Sequence, residues 1–394
     1  MRRYLSLGEL PRKRHMKYQL EGRTIYEELF GRTGFSGPSS LLYHRNLPEG
    51  AAQVLPGPED EGKPDDHPVH DHAHLRGFEL AAHGDVVDGR RWLLVNEDVR
   101  IGLAVPERQQ QIVYVNGSAD EVLYIHRGAG SLLSQFGRVP VRQGDYVVIP
   151  RGTFHRLSLE DPGASRILVI ECAGPVDSPD RYRAPNGQLT EIAPYSERDF
   201  RIPEELVEER GPTEVWLKRR GRVTRYCLDH SPFDVVGWDG SVYPVAFSIH
   251  DFEPRAGRFH VPPPIHQTFQ AHNLVICSFV PRKVDWDPEA NFLPYHHSNL
   301  DSDEVLYYCG GEYQARRGIQ EGSFTLHVGG VPHGPQPGAQ EASYARGRET
   351  DEMAVMIDTF RPLHRTAVAQ QISDPDYPYS WHTGDRGRGP DTIE

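Results

Sequence analysis

The stretch NLDSDEVLYYCGG at residues 299–311 has a counterpart earlier in the chain, NGSADEVLYIHRG at residues 116–128. The two align without a gap: Asn116 matches Asn299, and Asp-Glu-Val-Leu-Tyr is common to both. Further along, QGDYVVIPRGTFH at 143–155 aligns with EGSFTLHVGGVPH at 321–333, so that His155 matches His333. Two matching blocks in the same order predict two copies of one β unit.

Each unit has the order of a two-part pattern: H-x-(N/H)-x4-E or its remnant, a glycine turn, a strand, and Gly-x-x-His. This layout resembles the cupin superfamily, which implies a small β-barrel or jelly roll. We therefore predict a mainly β protein with a double cupin architecture and short helices. Alternate residues of a strand point into such a barrel, so two short strands can bring histidine and carboxylate side chains to one point.

Composition narrows the possible partners. The chain has 394 residues, 38 Gly, 33 Pro and a formal net charge of −13. That charge argues against a nucleic-acid partner, because phosphate binding needs a basic face. No segment reaches transmembrane length, and the basic N-terminus has no apolar run typical of a signal peptide. The four cysteines contain no CxxC pair, which favours reduced thiols in a cytoplasmic protein without a membrane partner.

The pattern of strands predicts two domains. Residues 1–232 form an N-terminal β-rich domain with a degenerate cupin copy at about 90–172, and residues 233–394 form a metal-binding cupin domain with a polar tail. Short helices are predicted at IYEELF (25–30) and IPEELVEE (202–209). The tail from about residue 373 is rich in Gly and Pro, which predicts a draped or a disordered terminus.

The repeat acts as an internal control for a metal site. The second copy offers two imidazoles and one carboxylate at three aligned positions, where the first copy has lost one imidazole. These residues are His297, Glu304 and His333 in the second copy, and Tyr114, Glu121 and His155 in the first. Because neutral imidazole is the main nitrogen donor for a divalent metal, we predict that the second barrel holds metal and the first is structural.

The ligand set alone does not identify the metal. Two histidines and one carboxylate suit non-haem Fe(II), with positions left for substrate and O2. Zinc enzymes also use two histidines and one glutamate. The plainer interpretation, that His297 and His333 are ordinary polar residues of a β protein, is disfavoured by the repeat.

Other histidines remain open. HPVHDHAH at 67–74 has ligand-like spacing, but its Pro- and acid-rich surroundings favour a flexible surface loop. His260 and His266 flank a proline run that could hold an imidazole near the metal. His327 either orients a ligand or substrate or is an ordinary polar residue at a strand end. His296 should face away from its neighbour His297.

The chain resembles the homogentisate dioxygenase family of cupin-type Fe(II) ring-cleaving enzymes. The motifs that carry the resemblance are GFSGPSSLLYHRNLP, EVLYIHRGAG with IPRGTFH, FDVVGWDG, CSFVPRK, PYHHSN, GEYQAR and LHVGGVPHGP. The resemblance implies opening of the homogentisate ring with O2 to maleylacetoacetate, in tyrosine and phenylalanine catabolism. It also implies trimers that pair into a hexamer.

Residue roles follow from the same resemblance. His260 would be the catalytic base, and His297, Glu304 and His333 would bind iron. Tyr313, His333, Tyr295 and His327 would form the substrate pocket. The family's animal members have one residue fewer between the first histidine and the glutamate, so Asp303 competes with Glu304; the longer reach of glutamate favours Glu304.

Three other functions remain compatible with the sequence. One is a dioxygenase for another hydroquinone, such as gentisate. Another is a non-oxidative metal-dependent isomerase or hydrolase on the same scaffold. The third is a binding or storage protein in which both barrels are structural, which the retention of the full ligand set in one copy disfavours.

Overall fold

The two aligned strands of the repeat lie inside two separate large sheets of a computed structural model. The structure describes residues 10–31, 39–44, 69–219, 222–228, 231–233, 242–256, 263–313, 315–345 and 348–384. Asp120–Arg127 and Asp303–Gly310 are almost continuously buried, because each has a covered face on both sides of its sheet.

The strands up to the end of the first repeat are β1 (Gln19–Leu20), β2 (Arg23–Thr24), β3 (Tyr26–Gly31), β4 (Ser39–His44), β5 (Ala73–Leu75), β6 (Arg90–Val95), β7 (Val99–Ala104), β8 (Val113–Asn116), β9 (Asp120–Arg127), β10 (Gly130–Ser134), β11 (Gly137–Val141), β12 (Asp145–Ile149), β13 (His155–Leu159) and β14 (Arg166–Cys172). The later strands are β15 (Phe200–Arg201), β16 (Thr213–Arg219), β17 (Arg222–Leu228), β18 (Val245–Ser248), β19 (Gln267–Ala271), β20 (Leu274–Phe279), β21 (Arg282–Lys283), β22 (His296–Asn299), β23 (Asp303–Gly310), β24 (Phe324–His327), β25 (Glu349–Thr350), β26 (Met353–Thr359) and β27 (His364–Arg365).

Helices in the described residues are short, as predicted. The α-helices are α1 (Ala339–Ser343) and α2 (Ala367–Gln371). Single 3-10 turns span Gly77–Glu79, Pro162–Ala164, Asp180–Tyr182, Glu197–Asp199, Ile249–Asp251, Pro263–His266 and Tyr377–Tyr379. The mainly β prediction is therefore confirmed.

The sheets form two barrels. The first barrel has a six-stranded sheet in the order β11-β10-β13-β8-β16-β17 and an eight-stranded sheet in the order β15-β18-β12-β9-β14-β7-β6-β27. The second has a six-stranded sheet in the order β19-β20-β26-β23-β24-β5 and a three-stranded sheet in the order β22-β3-β4. Each barrel thus borrows strands from the distant end of the chain.

The duplication extends to the register of the strands. Asp120 pairs with Cys172 across β9 and β14, and Asp303 pairs with Thr359 across β23 and β26. β6 and β19 carry an irregularity at the same place relative to their partners β7 and β20. Residues can therefore be compared between the copies one by one.

Alternation along the strands divides the core. Leu123 and Ile125 of β9 point into the first barrel, whereas Val122 and Tyr124 face a large shared core between the barrels. In the second barrel, Val305 and Tyr307 of β23 join that shared core. The interior cluster of the second barrel is small and built around Leu306, Tyr308 and Met356. Its remaining interior is occupied by polar side chains and a cavity.

Several local predictions were wrong. IYEELF lies largely in strand β3, which pairs in parallel with β22, the strand that carries His297. IPEELVEE forms no helix, and Glu205 makes an isolated bridge to Arg138. In both cases pairing with a distant strand outweighs the helix propensity of glutamate and leucine.

The predicted division at 232/233 stays a prediction. Strand β18, at Val245–Ser248, pairs with β12 and so belongs to the first barrel. No disulfide joins any of the four cysteines, and Cys172, Cys277 and Cys309 are buried. Within the described residues, no helix is both long enough and apolar enough to cross a membrane.

Candidate metal centre and its cavity

His297, Glu304 and His333 meet inside the second barrel. The Nε2 atom of His297 lies 3.7 Å from Oε2 of Glu304, and Nε2 of His333 lies 3.5 Å from Oε1 of the same carboxylate. One ligand atom from each residue lies within 4.8 Å of the other two. The structure therefore brings together the three side chains that the repeat singled out.

Backbone pairing fixes the two histidines. The N–H group of each residue donates to the carbonyl oxygen of the other, at 2.9 Å in both directions, for His297 and His333. This bridge brings the end of one hairpin against strand β22, and the imidazole centroids lie 4.2 Å apart. The site is thus held by main-chain geometry as well as by packing.

The neighbouring acids Asp303 and Glu304 point to different places. Asp303 accepts backbone hydrogen bonds from Gly329 at 2.7 Å and from Leu363 at 2.8 Å. The aligned Asp120 of the first copy accepts the equivalent bonds from Arg151 and Val176, both at 3.0 Å. Asp303 therefore secures the turn before the final histidine, and Glu304 is the acid that faces the imidazoles.

In the first barrel, the cationic side chains of Arg90 and Lys218 lie at the position that corresponds to the candidate metal centre. Arg90 donates two hydrogen bonds to Glu121, at 2.8 and 3.0 Å, and approaches Glu171 at 3.3 Å. Lys218 also bonds to Glu171. Burial alone would raise the pKa of Glu121, but Arg90 overrides it and lowers that pKa to about 2. Two carboxylates are balanced by two cationic side chains.

The second barrel keeps the acids and changes the cations. Asp358 stands where the first copy has Glu171, paired across the sheet with Glu304. Its side chain is buried, and Oδ1 makes no hydrogen bond. Within the described residues, no lysine or arginine lies within ion-pair distance of Glu304 or Asp358; the ion-pair partners of Glu304 are all histidines. Burial and the negative charge of Glu304 raise the pKa of Asp358. A dication beside Glu304 would supply the positive charge that Arg90 and Lys218 give to the first barrel, so this interior fits a divalent metal.

The state of His333 also fits a metal. Both ring nitrogens are buried without a hydrogen bond. Burial, with a further contribution from His297, lowers the pKa of His333 to about 4. The ring is therefore neutral at physiological pH, which is the form that binds metals.

His327 holds the carboxylate. Its Nδ1–H donates to Oε1 of Glu304 at 2.8 Å, and Nε2 accepts from the Tyr377 hydroxyl at 3.1 Å. The ring stacks on His333 with centroids 4.5 Å apart. Of the two roles considered for this residue, the contacts favour the orientation of a ligand.

His72 packs against His327 and His333, although it belongs to a segment that the sequence predicts to be a flexible loop. Its Nδ1 accepts from the backbone of Val328, and Nε2 donates to the carbonyl of Pro332, both at 3.2 Å. Its ring centroid lies 5.6 Å from the rings of His327 and His333. The loop prediction was wrong for residues 72–75, which are buried and include β5; His67 lies outside the described residues.

The C-terminal tail closes the site from another side. The indole N–H of Trp381 donates to the carbonyl of Gly334 at 3.1 Å, and Arg316 donates to the same oxygen at 2.8 Å. Trp381 is buried and lies 5.5 Å, ring to ring, from His72. As far as residue 384 the tail is draped and packed, which was one of the two predicted outcomes.

A cavity with a volume of about 130 Å³ lies beside the candidate metal centre. Its walls include His297 and Glu304, together with Tyr295 and Tyr313. The Tyr313 hydroxyl is buried without a hydrogen-bond partner. Aromatic and aliphatic residues supply much of the remaining wall, among them Phe279, Leu306, Tyr308 and Met356. The cavity suits an aromatic molecule with a few polar groups.

The other predicted histidines are distributed as follows. His260 lies outside the described residues. His266 is buried on the cavity wall, stacked on Phe279 at 4.6 Å. His296 turns away from His297, as predicted, and its ring packs edge-on against Tyr26 at 5.7 Å.

Sequence reasoning missed four residues near the site. Arg282 and Arg316 line the cavity, although the motifs CSFVPRK and GEYQAR contain them. Asp358 could have been found by extending the repeat alignment to strand β26. No sequence signal distinguished His72 from the other histidines of its polar segment.

Comparison with known proteins identifies the family. Sequence models of the homogentisate 1,2-dioxygenase N-terminal and C-terminal regions match residues 91–249 and 265–386. The chain belongs to the homogentisate 1,2-dioxygenase family. The chain is therefore an oxidoreductase of the dioxygenase type. Membership in this family of cupin dioxygenases implies that the protein binds a metal.

Relatives of the family differ in how much of the chain they match. A Saccharolobus solfataricus protein named "Putative dioxygenase SSO1533" is 38% identical over 96% of this chain and 99% of its own length. The homogentisate 1,2-dioxygenase of Bradyrhizobium diazoefficiens is 29% identical over 68% of this chain and 62% of its own length. The matched region thus spans less than two thirds of that enzyme.

A solved structure gives a weaker match. The cupin 2 conserved barrel domain protein from Leptotrichia buccalis covers 73% of this chain and 96% of its own, at 9% identity and a TM-score of 0.32. The cupin assignment therefore depends on the sheet order, the internal repeat and the family match.

Proposed function

We propose that this protein is an Fe(II)-dependent dioxygenase that opens the ring of homogentisate to maleylacetoacetate, with both atoms of O2 entering the product. The supporting observation is the buried set of His297, Glu304 and His333 at the wall of a largely aromatic cavity. Two histidines and one carboxylate are typical of non-haem iron oxygenases and leave coordination positions open. Bound iron would supply the redox link between the aromatic substrate and O2.

The side chains of the cavity would position the substrate. The Tyr313 phenol is buried without a hydrogen-bond partner, and burial raises its pKa. It therefore stays protonated and can donate to a substrate oxygen, which we assign as the carboxylate. Tyr295 lies on the same wall, with its ring centroid 6.4 Å from that of His297, and would contact the substrate ring.

Proton transfer is assigned to His260, which would accept the proton of the ring hydroxyl. This assignment follows from the family resemblance, since His260 lies outside the described residues. The same proposal includes a cytoplasmic homo-oligomer, either a trimer or a hexamer.

A second candidate is a related dioxygenase that acts on another substituted hydroquinone. Two observations favour keeping it. The relative that matches nearly the whole chain carries no substrate in its name, and the homogentisate dioxygenase covers only 68% of this chain. The aromatic cavity fits either substrate class.

The test is anaerobic loading with Fe(II), followed by O2 uptake on addition of homogentisate, gentisate or unsubstituted hydroquinone. We expect uptake with homogentisate and formation of maleylacetoacetate. His297→Ala should lose iron and turnover together, whereas the exposed His272→Ala should keep both. A protein that retains stoichiometric iron but consumes no O2 with any of the three compounds would rule out ring-cleaving dioxygenation of hydroquinones.

A further inference from the structure

Three arginines line the cavity beside the candidate metal centre, and their surroundings differ. Arg255 lies at the exposed side and donates to the Ile192 carbonyl at 2.5 Å, whereas Arg282 and Arg316 are largely shielded from solvent. Arg316 donates to the Gly334 carbonyl at 2.8 Å, and its guanidinium lies 5.7 Å from the Trp381 ring. Burial opposes its charge, but Tyr377, Tyr308 and Glu304 outweigh that effect and raise its pKa. Arg316 is therefore already engaged in holding the segment after His333.

The positive charge of Arg282 is less fully offset by neighbouring groups than that of Arg316. Nη1 of Arg282 donates to the Val280 carbonyl at 3.0 Å, and its guanidinium lies 5.2 Å from the Phe279 ring. Among the described residues, its acidic partner is Glu352, whose Oε2 lies 3.9 Å from Nη2, beyond hydrogen-bond length. Burial lowers the pKa of Arg282, and Glu352 offsets this only in part.

The strand arrangement fixes this pair at the cavity wall. Arg282 belongs to β21 and pairs with Thr350 of β25, two residues before Glu352. All three line the cavity that also contains His297 and Glu304. Only 14% of the Arg282 side chain is accessible, so an anion that reached it would be held with little competition from water.

We propose that Arg282 binds the anionic substituent of the substrate and selects hydroquinones that carry a carboxylate. The inference rests on the proposed function and assigns a specificity-determining residue within the same site. The planar guanidinium can donate two parallel hydrogen bonds to a carboxylate, while Glu352 serves as its counter-ion when the cavity is empty. Tyr313, on the same wall, can donate one more bond.

The proposal is tested by binding without turnover. Homogentisate and its uncharged amide, 2,5-dihydroxyphenylacetamide, are titrated anaerobically into the Fe(II)-loaded protein. We expect the acid to bind about 10- to 100-fold more tightly than the amide, the range expected for hydrogen bonds to a charged group. Arg282→Gln should remove this preference by weakening only the acid. Arg138→Gln, an exposed change in the first barrel, should leave it intact.

Two further variants distinguish loss of anion binding from misfolding. Arg282→Lys keeps the charge and should retain part of the preference. Glu352→Gln removes the competing carboxylate and should tighten the acid while leaving the amide unchanged. A wild-type protein that binds acid and amide equally, or an Arg282→Gln protein that keeps the full preference, would overturn the proposal.

The two hypotheses fail in different ways. Loss of the acid preference in Arg282→Gln, without O2 uptake by the wild-type protein, would support anion recognition and contradict the proposed reaction. Normal ring cleavage with an unchanged acid preference in Arg282→Gln would do the reverse.

Discussion

The carboxylates of the consecutive residues Asp303 and Glu304 have different partners. Asp303 accepts hydrogen bonds from two backbone N–H groups, at 2.7 and 2.8 Å, whereas Glu304 lies 3.5 Å from the imidazole of His333. Alternation along strand β23 separates them, because successive side chains leave a strand on opposite faces. The spacing in the sequence allows either acid to serve as the carboxylate ligand, and their different contacts can be separated by experiment.

Glu304→Gln should abolish metal retention with a modest effect on folding. Asp303→Asn should keep the metal but lower the free energy of unfolding by about 1–3 kcal/mol, since one buried N–H loses its acceptor. Metal analysis and thermal unfolding measure both effects. Asp120→Asn is the matched control, and it should destabilise the protein like Asp303→Asn. Metal loss in Asp303→Asn with retention in Glu304→Gln would reverse the assignment.

Arg90→Met should destabilise the first barrel strongly. It leaves Glu121 and Glu171 buried, with Lys218 and the more distant Arg100 as the remaining cationic partners of Glu171. Breaking a buried ion pair on one side costs about 3–5 kcal/mol. Denaturant unfolding at pH 7 measures the loss, and the metal content of the folded fraction should not change. An Arg90→Met protein as stable as the wild type would contradict this account of the first barrel.

The same contact predicts a pH dependence. The pKa of Glu121 is about 2 in the folded protein, against an ordinary value of 4.5. A lowered folded pKa contributes stability above the unfolded pKa, and this contribution disappears as the pH falls through the folded value. In Arg90→Met, burial without the guanidinium raises the Glu121 pKa, so the difference in unfolding free energy between wild type and variant should begin to narrow above pH 4.5 and continue to narrow to about pH 2. A constant difference over that window would show that Glu121 is not the responsible group.

His327→Phe should weaken metal binding while keeping the ring that stacks on His333. Loss of a partner that orients a ligating group commonly costs about 10- to 100-fold in metal affinity or activity. Competition with a chelator measures the affinity. His126→Phe is the control, because His126 is also buried and bonds to Glu321 at 2.7 Å from strand β9 of the first barrel. Equal affinity losses in the two variants would point to a general effect on the fold.

Trp381→Ala should lower both stability and metal affinity. Its indole is 1% exposed and holds the Gly334 carbonyl beside His333. Removing a buried tryptophan costs about 3–5 kcal/mol. Trp286→Ala is the matched control, since Trp286 is 67% exposed, and it should change thermal unfolding little. If the two variants unfold alike, the tail is not part of the site's support.

The sequence predicted the parts of this structure that repeat within it. Gapless alignment located the aligned strands and the three clustered side chains, and the replacement of one imidazole by Tyr114 indicated which barrel to prefer. It did not predict Arg90, because the guanidinium that bonds to Glu121 comes from a strand outside the aligned motifs. It also failed for His72, since composition describes a segment's average and not the sheet edge to which β5 adds.

The choice between Asp303 and Glu304 shows a similar limit. Spacing allowed both acids, and the decision came from the backbone groups of Gly329 and Leu363, which only the folded turn brings within reach. Charge balance around Asp358 likewise depends on a cross-strand pairing that one strand's sequence does not reveal.

The exchange of strands between chain ends has a consequence for biosynthesis. β27 pairs with β6, β3 with β22, and β5 with β24, so each barrel includes pairings between residues hundreds of positions apart. Such long-range pairing is slow, since large loops must close first. A ribosome-bound chain that had emerged only to the end of the first repeat would lack the strands that complete its sheet. Final assembly of the first sheet must therefore wait until His364 and Arg365 of β27 have left the ribosome, and the metal-binding barrel must wait for β22 and β24.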